Sequence, residues 1–170
     1  DADAELISSR RAGIAHCPLS NSYFANGVLP VRRLLDRGVR IGLGTDVAGG
    51  ASPSLWSQCH DAVTVSRMLT DGVDVRRPAA DRGVAGSTID AVTAFWLGTV
   101  GGAEVLGLPV GLLAPGRRFD AVLVDPRAGA GAVRVWPEVD DDVRVFEKIV
   151  RLATPAEITG VWVDGRRLVG

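Results

Sequence analysis

The chain has 170 residues, 46% of them hydrophobic, and a formal net charge of -1. That length supports a substantial core, and the near-neutral balance gives no reason to expect a nucleic-acid or anionic-membrane partner. No apolar run reaches the roughly 20 residues of a membrane span, and the polar opening Asp1-Ala-Asp-Ala-Glu5 lacks the basic and apolar regions of a signal peptide, so the expected setting is cytoplasmic. Cys17 and Cys59 lie in unlike contexts with no Cys-x-x-Cys pair, which argues against a disulfide framework or a thiolate zinc site; each is read as a small buried residue.

In chain order, Gly13-Ile-Ala-His16-Cys-Pro-Leu-Ser20-Asn21 reads as a brief apolar strand followed by a polar turn. Val28 to Gly38 places Val28, Leu29, Val31, Leu34 and Leu35 on one helical face before Gly38 ends the helix. Val39-Arg-Ile-Gly-Leu-Gly-Thr-Asp46-Val-Ala-Gly-Gly50 is then a buried strand that stops at a carboxylate and opens into glycines. A strand, loop, helix, strand unit pairs its strands in parallel with a right-handed crossover, so His16 and Asp46 are expected at the same end of the sheet. In α/β barrels, catalytic and metal-binding groups gather at the carboxyl ends of strands. Asp46 is therefore the principal candidate for chemistry. The alternative is that it caps the helix beginning near Ser52 or orders a turn.

Ser52-Pro-Ser54 opens a helix running to about Leu69, and Asp71 to Gly86 is an exposed connection. Ser87-Thr-Ile-Asp90 opens another helix, and Gly101 to Leu108 adds a shorter helical piece ending near Gly107. After Pro115-Gly116, Phe119 to Asp125 alternates as a strand, and Gly160 to Val169 reads as two strands joined by a tight turn at Asp164-Gly165. The Phe119 to Asp125 strand is expected to pair with the strands around Val161 to Val163 in a separate small sheet. Ala128 to Ala132 is a short flexible connection. His60 falls on the polar side of its helix and is read as solvated surface.

Two alternatives remain for several residues. His16 is a satisfied structural histidine or a pocket residue facing substrate. Ser20 and Asn21 order their loop or touch substrate, ordering being the favoured role, and Thr45 supports the geometry of Asp46. Nucleotide binding through Gly42-Leu-Gly44 is disfavoured, because Val47 stands where the dinucleotide fingerprint needs glycine and no Gly-Lys-Ser/Thr follows.

His16-Cys-Pro-Leu-Ser-Asn21 followed by Gly42-Leu-Gly-Thr-Asp46-Val-Ala-Gly-Gly50 resembles the late barrel strands of the amidohydrolase superfamily, and within it the guanine deaminase family. Phe119 to Asp125, Asp140 to Ala153 and Val161 to Arg167 are similar to that family's closing helix and returning strands. The resemblance implies an α/β fold: the last two strands and helices of a (β/α)8 TIM-like barrel over residues 1–114, and strands of a small flanking β-sandwich with a closing helix over 115–170. It implies that Asp46 is both a metal ligand and a proton carrier in a zinc-dependent conversion of guanine and water to xanthine and ammonia. A small-molecule purine is then the substrate, and His16, Ser20, Asn21 and Thr45 surround the site. The family's His-x-His pair, two further histidines and glutamate match nothing here, since His16 and His60 are the only histidines. The resemblance therefore implies the carboxyl-terminal part of a longer enzyme, inactive alone, with an exposed sheet edge that invites association such as a homodimer. Another amidohydrolase deaminase, acting on oxidised guanine, cytosine or an adenosine derivative, and a non-catalytic remnant that binds a partner are the alternatives. A cytidine-type zinc deaminase is disfavoured, because its His-x-Glu and Pro-Cys-x-x-Cys signature is absent.

Overall fold

A computed structural model describes residues 2–24, 27–128 and 130–170. Helix α1 (Ala2–Ser9), for which the sequence carries little amphipathic signal, precedes strand β1 (Gly13–His16) and sends Ala4 into the core. Helix α2 (Pro18–Tyr23) follows at once, where the sequence reads as a polar turn. The reason is Pro18 in the first helical turn, where its fixed φ suits the helix and its missing N–H costs no hydrogen bond. Helix α3 (Val31–Leu35) is shorter than the expected Val28 to Gly38 helix: Pro30, with ψ of 71°, stands outside it as the capping residue. Val31 and Leu34 are nevertheless buried, and Gly38 ends the segment at a φ of 70°.

Strand β2 (Arg40–Leu43) pairs with β1 in parallel, Ile14 opposite Ile41 and His16 opposite Leu43, as the sequence predicts. The Gly44 N–H donates to the His16 carbonyl at 2.9 Å, carrying the pairing one residue past the strand. Helix α4 (Leu55–Asp71) begins at Ser54, whose Oγ accepts the Ser57 N–H, and buries Cys59, Ala62 and Val63 against the sheet. The segment 72–90 is largely exposed, with a single 3-10 turn at Ala79–Asp81.

Helix α5 (Ala91–Trp96) starts at Asp90, whose carboxylate accepts the Thr93 N–H at 2.7 Å. The shorter helical piece expected from Gly101 is continuous with α5: the chain runs through a π-helical turn at Leu97–Gly101 into α6 (Gly102–Leu106) without interruption. It stops only at Gly107, in the left-handed region with a φ of 67°. Glycines let this helical run approach β2 closely. A Cβ on Gly42 would lie 2.7 Å from Gly102 Cα, and one on Gly101 would lie 2.5 Å from the Ile41 carbonyl oxygen. Helix and strand backbones touch directly because no side chain separates them.

Strand β3 (Ala121–Val124), helix α7 (Asp142–Leu152), strand β4 (Ile158–Val163) and strand β5 (Arg166–Val169) complete the described chain. The three strands form a second, antiparallel sheet in the order β3-β4-β5, with Val122 opposite Val161. The expected Asp164-Gly165 turn joins the last two, with positive φ at both residues. The expected connection from Ala128 to Ala132 contains residue 129, which lies outside the described residues. Buried Glu157 fixes the approach to β4: its carboxylate accepts the Val133 N–H at 2.8 Å and the Thr154 N–H and hydroxyl at 2.9 and 2.7 Å. These donors, the Val133 bond foremost, hold its pKa down to about 2. Helix α7 ties this part to the first sheet. Phe146 meets Phe95 edge-on at 5.2 Å, Phe95 stacks on Trp56 at 5.9 Å, and Val150 is fully buried in the same core.

The contact between β2 and α6 gives a direct expectation. Replacing Gly42 with Val forces apart two backbones that have no room to yield, at a cost of about 1–3 kcal/mol from overpacking. The urea midpoint should fall accordingly, whereas Gly86→Ala, where nothing lies near the added Cβ, should cost less despite its positive φ.

Candidate active site

The site is built from the two segments that leave the carboxyl ends of β1 and β2. Asp46, three residues past β2, has a φ of 48°, a left-handed conformation that aspartate tolerates better than most residues. Its turn is closed by the Gly50 N–H, which donates to the Asp46 carbonyl oxygen. Gly50 has no substitute here: a Cβ would lie 2.0 Å from the Thr45 carbonyl oxygen. Gly49 flanks the carboxylate itself, since a Cβ there would lie 2.7 Å from Asp46 Oδ2.

From the other segment, Ser20 on α2 donates its hydroxyl to Asp46 Oδ2 at 2.6 Å. Ser20 is only 4% exposed, so this donor is held by packing. Helix α2 is in turn anchored to α4, where buried Gln58 accepts the Leu19 N–H at 3.4 Å. The sequence reading favoured loop ordering through the backbone for Ser20, and the side-chain bond to Asp46 replaces that reading. The missed signal was Pro18, which places Ser20 on a helix rather than in a turn.

His16 is at the same end of the sheet, 2% exposed, and both ring nitrogens lack a hydrogen-bond partner among the described residues. Among the described residues it is thus not a satisfied structural histidine, and no hydrogen bond joins its ring to Asp46. Burial lowers its pKa to about 4, leaving a neutral imidazole at pH 7. Asn21 and Thr45 are half-buried. The Asn21 N–H donates to the Cys17 carbonyl at 2.9 Å within the first turn of α2, and the Thr45 carbonyl lies against Gly50; neither side chain is brought onto Asp46 by a hydrogen bond among the described residues.

Cys59 is buried as expected, its thiol donating to the Ala94 carbonyl at 3.5 Å. Cys17 departs from that expectation. It is half-buried beside Gly44, and burial together with the negative charge of Asp46 raises its thiol pKa, so it stays protonated. His60 stands apart from the site, half-exposed with Nδ1 3.1 Å from Asp61.

Among the described residues, no group of three or more His, Cys, Asp or Glu side chains converges to hold a metal. Asp46 fits such an ion as one oxygen donor: its carboxylate sits in an exposed residue at a strand end, with one oxygen tied to Ser20. A catalytic zinc site takes about three protein ligands, so Asp46 alone would not complete one.

Residues 1–168 match the Amidohydrolase family, and the chain belongs to it. It is 37% identical over 172 residues to the "Probable guanine deaminase" of Schizosaccharomyces pombe, covering 100% of this chain and 31% of that protein. It is 35% identical over 167 residues to the "5-methylthioadenosine/S-adenosylhomocysteine deaminase" of Pelotomaculum thermopropionicum, covering 98% of this chain and 34% of that protein. The solved E. coli guanine deaminase superposes with a TM-score of 0.78 at 25% identity, over 99% of this chain and 36% of that one. The chain spans about a third of the length of the curated relatives it matches. No helix among the described residues is long and apolar enough to cross a membrane.

The buried ring of His16 sets a pH dependence. Its folded pKa of about 4 lies below the ordinary 6.5, so between those values the unfolded chain binds more protons than the folded one. Stability is full above about pH 6.5 and falls as pH drops toward 4, by an amount on the order of 3 kcal/mol. Urea unfolding of this chain between pH 7 and 4.5 should show that slope, and His16→Leu should flatten it.

Proposed function

We propose that this chain is the carboxyl-terminal part of a zinc-dependent deaminase acting on guanine, which it converts with water to xanthine and ammonia. The observation that carries the reading is Asp46, presented at the carboxyl end of β2 with one oxygen held by Ser20. Relatives named for guanine deamination across nearly the whole chain support it. Zinc, when bound, supplies an activated water at neutral pH.

The remaining steps belong to the chain. Asp46 contributes one metal-binding oxygen and accepts a proton from the attacking water. It then passes that proton to the departing amino group, so that ammonia leaves as the ring carbon gains its oxygen. The left-handed turn at Asp46 fixes where the carboxylate is delivered, and His16, neutral and without a hydrogen-bond partner among the described residues, lies at the same end of the sheet. Residues 1–114 serve as barrel strands and helices, and 115–170 as the closing helix and strands of a flanking sandwich. With one metal-binding side chain, this portion by itself is inactive. A second reading, deamination of an adenosine derivative such as 5-methylthioadenosine, is favoured by the 35% identical relative of that name.

In the full-length protein, Asp46→Asn keeps the size but removes the charge and the proton-accepting oxygen. Ammonia release from guanine should fall by at least about 10²-fold, the usual effect of losing a general base. His60→Ala should leave turnover within about twofold, because that side chain is half-exposed and pairs with Asp61. Near-normal activity in Asp46→Asn contradicts the mechanism, while faster release from 5-methylthioadenosine than from guanine keeps the mechanism and changes the substrate.

A further inference from the structure

We infer that Ser20 is a positioning residue for Asp46, committing Oδ2 to the protein and leaving Oδ1 as the oxygen that meets the reacting centre. This rests on the proposed role of Asp46. The hydroxyl of Ser20 reaches Oδ2 at 2.6 Å, the short distance of a hydrogen bond to an ionised acceptor, which is about twice as strong as a neutral one. The donor is nearly fully buried, although Asp46 itself belongs to an exposed residue. The same oxygen is walled on another side by Gly49, where a Cβ would come within 2.7 Å. One carboxylate oxygen is therefore bonded and enclosed, and the side chain cannot exchange its two oxygens without breaking the Ser20 bond.

The support behind Ser20 is also built into the fold. Pro18 starts α2, and Gln58 on α4 accepts the Leu19 N–H at 3.4 Å. Helix α2 is thereby held at a fixed place over the end of β2. Its first turns carry the hydroxyl to the carboxylate across 26 residues of sequence. A carboxylate that must bind an ion and carry a proton gains from having one rotamer, since outer partners of ligating groups commonly change metal affinity or activity by about 10–100-fold when removed.

The test uses the zinc-loaded full-length protein with four variants, Ser20→Ala, Ser20→Thr, Ser22→Ala and Asp46→Asn. Steady-state turnover of guanine is measured beside the rate at which zinc is lost to a chelator. Ser20→Ala should lower kcat about 10-fold or more with KM within about threefold, and should speed zinc loss by about 10-fold. Ser20→Thr, which keeps the hydroxyl, should recover most of both. Ser22→Ala, which removes a hydrogen bond from the same helix without touching Asp46, should match the unsubstituted protein. The inference is overturned if Ser20→Ala changes neither kcat nor zinc loss, if Ser20→Thr is no better than Ser20→Ala, or if Ser22→Ala is equally damaged. A fully active Asp46→Asn overturns the proposed function instead. Zinc loss needs no turnover of guanine, so it still reports the Ser20 bond if the substrate is a different purine.

Discussion

Every feature of the candidate site depends on the parallel register of two four-residue strands. His16 opposite Leu43, extended by the bond from Gly44 to the His16 carbonyl, places the start of α2 beside the turn after β2. A one-residue slip would turn every side chain of a strand to the other face. Ile41, now fully buried, would leave the core, and Ser20 would lose Asp46. Direct contact between backbones at Gly42 and Gly102 guards that register, because it excludes a side chain at position 42 of the strand. Tight packing far from the carboxylate is thus part of how the carboxylate is aimed.

The polar groups at this end of the sheet are satisfied unevenly. Asp46 has a buried donor, and Gln58 uses its carbonyl oxygen on Leu19, yet the Gln58 amide nitrogen and both nitrogens of His16 have no partner among the described residues. Buried polar atoms without partners are costly, on the order of 1–3 kcal/mol each. The outer edge of β1 has no neighbouring strand among the described residues, and Leu106, Leu113 and Tyr23 are largely exposed. Each of these features fits the proposed reading, in which further barrel strands lie against this portion, and the chain spans about a third of its curated relatives' length.

The parts legible in the sequence were those set by local chemistry. The apolar run from Val39 to Leu43 ends at Asp46 because the glycines after it permit the turn. Ser54 and Asp90 announce helix starts with side chains that accept backbone N–H groups, and Asp164-Gly165 marks a hairpin. Misreadings arose where one residue type serves two ends. Pro18 resembles a turn former yet starts α2, and Pro30 truncates a helix whose apolar spacing runs through it. Gly101 stands inside a helical run because a Cβ there would meet the Ile41 carbonyl oxygen of β2. The bond from Ser20 to Asp46 was illegible for a different reason. It joins residues 26 apart, and its existence depends on strand register and helix placement together, neither of which local pattern specifies.

On the proposed reading, Asp46 is a metal-binding carboxylate with one oxygen reserved for the reacting centre. The most direct measurement is a crystal structure of the zinc-loaded full-length protein, with anomalous diffraction at the zinc edge to locate the ion. The account predicts zinc about 2.0–2.2 Å from Asp46 Oδ1, with Oδ2 still bonded to Ser20. Zinc coordinated without Asp46, or bound through Oδ2 with the Ser20 bond broken, would contradict it.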